Sequence, residues 1–402
     1  MARNLPRATR YNDVMASTVL VSRRGADRVR TGHPWIYRSD VAPETDVAPG
    51  ELVLVTTERK RPIGWALWSS TSQIALRFVS TDRNVDDATI WRERLTKAIA
   101  YREALGMDGT SRRLVHGEAD GLPALIVDQY ADVVVVQTLC QGMDRRREVL
   151  IDALVQLLKP RGILARNDQK VRRLEGLDEQ IEVLYGEVPD AVRVREGAIH
   201  YDVDVRHGQK TGLFLDQAEN HINAARYATG RVLDGFCYHG GFALQMAAKA
   251  AQVVALDSSE AAVAATQANA RANGVTNLDA RAVNVFDELR EFEVSGVKFD
   301  TIVLDPPAFA KNKASIPGAV AGYKEINLRA LKLLKPGGHL ITCSCSYNIN
   351  EELFLDILSA AASDTGSSIA LVERRLQSRD HPVLLGVPET SYLKAMVLRK
   401  MA

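Results

Sequence analysis

Four groups of residues in this 402-residue chain have the types and spacing to do chemistry. The segment Asp234-Gly235-Phe236-Cys237-Tyr238-His239-Gly240-Gly241-Phe242 is rich in glycine and carries a carboxylate. Asp257 follows 23 residues after Asp234, then Asp305-Pro306-Pro307, then Cys343-Ser344-Cys345-Ser346. The glycines let the backbone approach a ligand closely and relax the turn. A carboxylate at the spacing of Asp257 can accept both ribose hydroxyls of a nucleoside. Two consecutive prolines fix an extended exit and stop whatever strand precedes them. The glycines are not spaced G-x-G-x-x-G, so a nicotinamide dinucleotide fits poorly. Together the first three groups favour a cofactor that bears a nucleoside. A free cysteine is a nucleophile in one setting and a small buried hydrophobe in the other, and the chain has four: Cys140, Cys237, Cys343 and Cys345.

These groups need elements to hold them. Beyond residue 200 the pattern alternates strand and helix. Strands are expected at Val232–Asp234, Val253–Asp257, Arg281–Val285, Thr301–Leu304 and His339–Ser344, and helices at Phe242–Ala250, Ser259–Asn273, Ile326–Leu334 and Glu351–Ala362. Pro336-Gly337-Gly338 reads as a helix stop. Two last strands, Ala370–Arg374 and Leu393–Leu398, have no clear helix between them and suggest an antiparallel edge. Repeated β-α units predict an α/β domain with a parallel sheet, and ligands of such sheets bind at the carboxyl ends of the strands. That is where the candidate residues fall.

The rest of the chain reads as two further blocks. Residues 17–80 are rich in β-formers, with strands at Ser17–Ser22, Glu51–Thr56, Ile63–Trp68 and Gln73–Val79, which fits a small β-barrel. From 84 to 200 the pattern is α+β. It has a helical start over 84–106, a hairpin around Asp128–Asp132, a helix over Arg145–Leu158, and strands at Ile163–Asn167 and Gln180–Tyr185. The expected domains are 1–82, 83–200 and 201–402. At 46% hydrophobic and 25% charged residues the chain can build full cores. No stretch is long and apolar enough for a membrane span, and four cysteines make no disulfide framework, so a reducing cytoplasm is expected. The net charge of +1 hides a gradient: residues 1–40 hold eight Arg against three Asp. A basic end on an otherwise neutral chain suggests a polyanion partner.

The third block resembles a class I S-adenosylmethionine-dependent methyltransferase, a Rossmann-like fold. Nearly the whole chain resembles the bacterial 23S ribosomal RNA large-subunit methyltransferase I family, which makes 5-methylcytosine. Gly32-His33-Pro34-Trp35-Ile36 resembles the start of that family's PUA domain, an RNA-binding β-barrel. The run from His116 to Asp128 resembles its central domain, and Gly208–Gln217 the segment leading into its catalytic domain. The resemblance implies S-adenosylmethionine as cofactor, with Asp234, Gly240 and Gly241 along its methionine part and Asp257 on its ribose. Phe214 and Gln217 are implied near the site, with Phe236, Tyr238, Ser258 and Asp305 among the cofactor contacts. Asn284 stands where the family usually has Asp, at the end of the third strand, and its amide oxygen can accept from the adenine amino group. No metal is assigned.

The implied reaction needs a thiolate. Carbon 5 of cytosine is a poor nucleophile until a thiolate adds to carbon 6 and turns the ring into an enamine. Cys345, at the end of its strand and beside Asp305, is the expected nucleophile. Cys343, two residues earlier, faces the same way on a strand, so the two assignments can be swapped. Asp305 is expected to hydrogen-bond the base edge. Lys311 and Lys313 are candidates for phosphate contacts. The expected partner is RNA, with no membrane; oligomeric state is silent, and a homodimer is carried as an option. The rivals are methylation of a guanine nitrogen, which needs no thiol, and a catalytically idle RNA-binding protein. Nitrogen-directed enzymes usually place an aromatic directly after the two prolines to stack the flipped base; here Ala308 stands there and Phe309 one later.

Overall fold

The computed structural model describes residues 17–43, 46–82, 84–310 and 312–401. Lys311 and the first three arginines of the basic segment lie outside the described residues. The chain divides into two compact units. One comprises residues 1–107, 112–190 and 383–388; the other comprises 108–111, 191–382 and 389–402.

The first unit holds two sheets. Strands β1 (Thr18–Val21), β2 (Trp35–Tyr37), β3 (Leu52–Thr57), β4 (Pro62–Trp68) and β5 (Ile74–Ser80) form a five-stranded sheet in the order β1-β3-β4-β5-β2. Helix α1 (Arg23–Arg30) had no periodic apolar signal in the sequence; Ser22 caps it by accepting from the Gly25 N–H at 3.2 Å. Strands β6 (Ser111–His116), β7 (Leu125–Tyr130), β8 (Val133–Thr138), β9 (Gly162–Asn167) and β10 (Gln180–Gly186) form the second sheet in the order β10-β9-β8-β7-β6. Helices α2 (Ile90–Ala104), α3 (Gln141–Arg145) and α4 (Arg147–Leu158) accompany it. One apolar core serves both sheets: Leu52, Leu67 and Val79 pack in the same cluster as Trp91, Leu95, Val115 and Leu150. The family-like segments meet there, with Trp35 Nε1 donating to Glu118 at 2.8 Å. The other carboxylates of the His116–Asp128 run are structural, since Asp120 pairs with Arg102 and Asp128 with Arg113.

The second unit begins with the hairpin of β11 (Val192–Glu196) and β12 (Ile199–Val203), followed by α5 (Ala218–Ala224). The repeats follow: β13 (Arg231–Gly235), α6 (Gly241–Ala247), β14 (Gln252–Asp257), α7 (Glu260–Ala272), β15 (Leu278–Ala282), α8 (Val285–Val294), β16 (Phe299–Leu304), α9 (Ile316–Leu333), β17 (Leu334–Ser344), α10 (Glu351–Thr365), β18 (Ile369–Arg375) and β19 (Lys394–Lys400). The seven-stranded sheet runs β15-β14-β13-β16-β17-β19-β18. It is parallel except for β19, which pairs antiparallel with both β17 and β18. Alternate residues of the strands enter opposite cores, Leu233 with α8, α9 and α10, and Val232 with α6.

Three boundaries depart from the sequence reading. The third strand is Leu278–Ala282, not Arg281–Val285, because Asn284 is an N-cap that starts α8 at Val285. Helix α9 starts ten residues earlier than expected, at Ile316, where Pro317 suits the first turn despite two nearby glycines. Pro336-Gly337-Gly338 does not stop a helix but lies within β17, where the register against β16 is irregular.

Candidate functional site

The strand order reverses between β13 and β16, and the crevice outside the carboxyl ends of a sheet at such a point is where ligands bind. A cavity of about 510 Å³ lies there. Its lining includes Phe214, Gln217, Phe236, Tyr238, Gly241, Asp257, Ser258, Asp305 and Cys345. These nine expected residues are brought together. Asp234 and Gly240 support the wall without lining it. Asn284 is exposed, lies outside the lining, and spends its amide oxygen on the Phe286 N–H at 2.9 Å, capping α8.

The wall is a strained loop. Phe236 and Tyr238 have φ of 69° and 46°, unusual for side-chain-bearing residues, and Gly240 has 81°. Conformations of this kind persist only where the surroundings over-determine them. Here Cys237 N–H donates to Leu256 C=O at 2.9 Å, Tyr238 N–H to Asp257 at 3.0 Å, and Thr266 Oγ1 to Tyr238 C=O at 2.7 Å. Asp257 also accepts from Ser259 N–H at 2.9 Å. Asp257 therefore stitches the first loop to the start of the next helix. Gly241 is required by packing: a Cβ there would sit 2.5 Å from the His221 ring.

Several lining groups were not singled out in the sequence. Lys210 donates to both oxygens of Asp216, at 2.8 and 2.7 Å, and Tyr392 donates to Asp216 at 2.7 Å. Burial raises the Asp216 carboxyl, but Lys210, His381 and the Tyr392 hydroxyl together hold the group well below the carboxylate range. Lys210 lies 4.3 Å from the Phe214 ring centroid, and Phe214 meets Tyr238 edge-on at 5.0 Å. His221 Nδ1 lies 2.9 Å from Glu196; burial lowers this imidazole, but Glu196 together with Asp305 and Asp234 holds it above its usual value. His239, stacked on Tyr238, is pushed by burial down to about 4 and is neutral. Lys210 belongs to a segment the sequence had already marked. Glu196, His221 and Tyr392 come from elements with no readable motif.

Asp305 and Cys345 both line the cavity. Desolvation pushes Asp305 up to about 6. Cys345 lines the cavity, partly exposed, with Sγ 3.9 Å from the Pro306 carbonyl. Burial pushes its thiol up to about 11 and Asp305 adds to this, while Lys210 opposes both. Cys343 is fully buried among Ile341, Ala395 and Val397. Cys140 and Cys237 are buried too.

Asp234 gives a pH test. One oxygen accepts from Ala243 N–H at 2.9 Å, the other is buried without a partner, and desolvation pushes the group up to about 8. The folded chain then keeps a proton that the unfolded chain releases near pH ~3.9, so the unfolded state binds fewer protons between these values. Stability must fall as pH rises through that window. The ligand-free protein should melt at a lower temperature at pH 8 than at pH 5, and Asp234→Asn should flatten the decline. An undiminished decline in the variant would exclude Asp234 as its source.

The profile of the S-adenosylmethionine-dependent methyltransferase family matches residues 112–399, and that of a PUA-like domain matches residues 19–81. A ribosomal RNA large subunit methyltransferase I from Tolumonas auensis is 41% identical over 402 residues, spanning 96% of this chain and all of that protein. The chain belongs to the ribosomal RNA large subunit methyltransferase I family. The Aeromonas hydrophila member is 40% identical over 96% of this chain and 99% of its own length. Among solved structures, SMU.776 complexed with SAH superposes with a TM-score of 0.82 at 20% identity, covering 95% of this chain and all of that one. That likeness shows the fold.

The cofactor of this methyltransferase family is S-adenosylmethionine, and the pocket's own atoms fit it. Gln217 Nε2 and the Tyr201 hydroxyl are buried and make no hydrogen bond of good geometry, although Asp305 and Gln245 lie near enough to interact with them, and such groups in a native fold call for an explanation. Gln217 and Tyr201 line the cavity. Four lining carboxylates, Glu196, Asp216, Asp257 and Asp305, outnumber Lys210 and His221. An acidic pocket suits a ligand that carries a sulfonium and an ammonium.

Proposed function

We propose that the enzyme methylates carbon 5 of a cytosine in large-subunit ribosomal RNA through a covalent adduct on Cys345. The observation that carries this reading is the position of one thiol: Cys345, partly exposed, lines the cofactor cavity as Asp305 does, whereas Cys237, the other cysteine in the lining, is buried and its thiol is pushed well up by burial. The substrate class rests on the names of the relatives and on the PUA-like domain.

S-adenosylmethionine supplies one electrophilic methyl group. Asp257 and Ser258 would hold its ribose and Gln217 would meet its amino-acid end, while Asp234 would steady the wall behind them through the Ala243 N–H. Asp305 accepts from the exocyclic amine of the base or, protonated near its raised pKa, donates to N3. The Cys345 thiol gives its proton to solvent and its sulfur bonds to carbon 6 as the C5–C6 double bond opens. Carbon 5 then becomes electron-rich and takes the methyl group, with S-adenosylhomocysteine as the leaving group. Removal of the carbon-5 proton and breaking of the carbon–sulfur bond restore the aromatic ring and the thiolate. The guanine-nitrogen reading is weaker. Phe309 is packed 4.7 Å from Tyr323 and 6.0 Å from Phe286, so it is engaged in the core rather than offered to a flipped base. Asn284 lies outside the cavity lining and caps α8, so this reading gives it no step. A homodimer plays no part in this reading, and a ribosomal substrate places the enzyme in the cytoplasm. Nucleoside mass spectrometry of ribosomal RNA from a deletion strain tests the function: one 5-methylcytidine of the large-subunit RNA should disappear. Loss of a methylguanosine instead would favour the rival.

RNA binding is assigned to the PUA-like sheet. Arg30 of α1 and Arg61 of the β3–β4 turn flank a small pocket, and Arg59 and Lys60 are exposed on the same turn. This sheet shares its core with the neighbouring one, so deleting it would unfold more than the RNA platform. Charge reversal is the better probe. Arg30→Glu with Lys60→Glu and Arg61→Glu should weaken RNA binding. The salt slope should fall by about 0.7–0.9 for each phosphate that is no longer neutralised. Cofactor affinity should not change. An unaltered salt slope would move the RNA platform elsewhere.

A further inference from the structure

A buried ion pair stands in the wall of the cofactor cavity and takes no part in the mechanism above. His221 lies in α5 and Glu196 ends β11, and both line the cavity. Their side chains are only 11% and 6% exposed. Nδ1 of His221 lies 2.9 Å from Glu196 Oε1. The ring meets Phe242 edge-on at 4.6 Å and packs on the backbone of Gly241, where Nε2 would stand 2.6 Å from an added Cβ. The Gln245 amide of α6 donates to the Glu196 carbonyl at 2.5 Å and fixes the other member of the pair. The imidazole is thus held in one orientation by β11 and α6. Among the described residues no hydrogen bond engages Nε2. A buried ion pair contributes little to stability compared with apolar packing of the same volume, so the fold alone does not call for one here.

The cofactor carries a group that such a pair can serve. Its amino-acid end bears an ammonium and a carboxylate. The ammonium suits the acidic lining, but the carboxylate needs a cation, because burying an unpaired charge is costly. Lys210, His221 and His239 are the described lining side chains that can be positive. Lys210 already donates to both oxygens of Asp216. His239 is stacked on Tyr238 at 3.7 Å, and burial keeps it neutral. His221 remains, and the carboxylates around it favour its charged form. An imidazolium donates from both ring nitrogens, so one N–H can serve Glu196 while the other serves a second carboxylate. The place agrees with this role. Strand β13 lies between β14, which ends in Asp257, and β16, which leads to Asp305. Gly241 follows β13, so a cofactor reaching from Asp257 toward Asp305 passes the His221 ring.

We propose that His221, oriented by Glu196, binds the α-carboxylate of S-adenosylmethionine through its Nε2–H. The pair then selects for the complete amino-acid end of the cofactor, since a nucleoside without the carboxylate forfeits this contact. The inference rests on the cofactor of the family and not on the nucleophile assignment, so it holds whichever atom of the base receives the methyl group.

The test is calorimetry on the full-length protein with two probes. S-adenosylhomocysteine carries the α-carboxylate; its decarboxylated analogue keeps the nucleoside, the thioether and the ammonium. The wild type should bind S-adenosylhomocysteine at least about tenfold more tightly than the analogue, the scale of a hydrogen bond between charged groups. His221→Asn keeps an N–H near the Nδ1 position for Glu196 and removes Nε2 and the charge. In this variant the preference should shrink to within about twofold, because S-adenosylhomocysteine weakens and the analogue does not. His221→Phe keeps the ring against Phe242 and Gly241 without either nitrogen. It should give the same result, and it decides if the asparagine variant does not fold. No preference in the wild type, or a full preference kept in the variants, would overturn the proposal. So would an equal loss for both probes, which is the mark of a packing role or of a contact with the ammonium. A preference lost in Lys210→Gln but kept in His221→Asn would move the carboxylate to Lys210 and overturn it as well.

Discussion

Cys345→Ala should reduce methyl transfer by at least about a thousandfold, the scale on which losing a covalent nucleophile acts. Cofactor and RNA affinities should stay near those of the wild type, because the lost atom only lines the cavity. Cys343→Ala is the contrasting variant. Its sulfur is fully buried in the core between β17 and β19, so its removal should cost about 1 kcal/mol of stability and leave most activity. The two cysteines share a face by strand periodicity. They are separated because β17 ends at Ser344 and the chain then turns, which frees Cys345 from the sheet. Tritium transfer from labelled S-adenosylmethionine measures both variants. Activity lost only with Cys343 would exchange their roles.

Asp257→Ala should weaken S-adenosylhomocysteine binding at least tenfold. Hydrogen bonds to a charged group are worth roughly 1.5–3 kcal/mol, and the ribose loses its carboxylate acceptor. The geometry adds a second loss. Asp257 also holds Tyr238 N–H and Ser259 N–H, so the strained loop at the cofactor wall loses a tie. Asp257→Asn keeps one amide oxygen as acceptor and should fall between alanine and wild type. Calorimetry gives the affinities, and an unchanged value for alanine would remove Asp257 from the site.

The carboxyl-end residues were legible because chemistry at a parallel sheet leaves marks in short segments. Glycines, a carboxylate and a Pro-Pro pair sit where strands must end. The alternation of β and α over 201–402 followed from apolar runs separated by caps and turns. Three things were not readable. The ties on the loop, Thr266 above all, come from a helix that otherwise reads as an ordinary amphipathic element. The Glu196–His221 pair joins a hairpin to a short helix, and nothing local to either announces the other. Asn284 has a role that the resemblance did not show: it stands two residues past the strand end and caps α8. In the first unit, apolar periodicity found most strands but could not show that two apparent blocks share one core. The order of strands within a sheet and the contacts between sheets are set by packing, which a single sequence does not display.

The central claim is a sulfur–carbon bond between Cys345 and the target base. The direct measurement is a denaturing gel and peptide mass spectrum of the wild type incubated with S-adenosylmethionine and RNA carrying 5-fluorocytosine at the target. Fluorine cannot leave as a cation, so elimination stalls and the thioether persists. The predicted result is a denaturant-stable adduct mapped to the Cys345 peptide, absent in Cys345→Ala and present in Cys343→Ala. Full methylation of unmodified RNA by the same preparation, with no adduct on the fluorinated RNA, would contradict the carbon-5 mechanism.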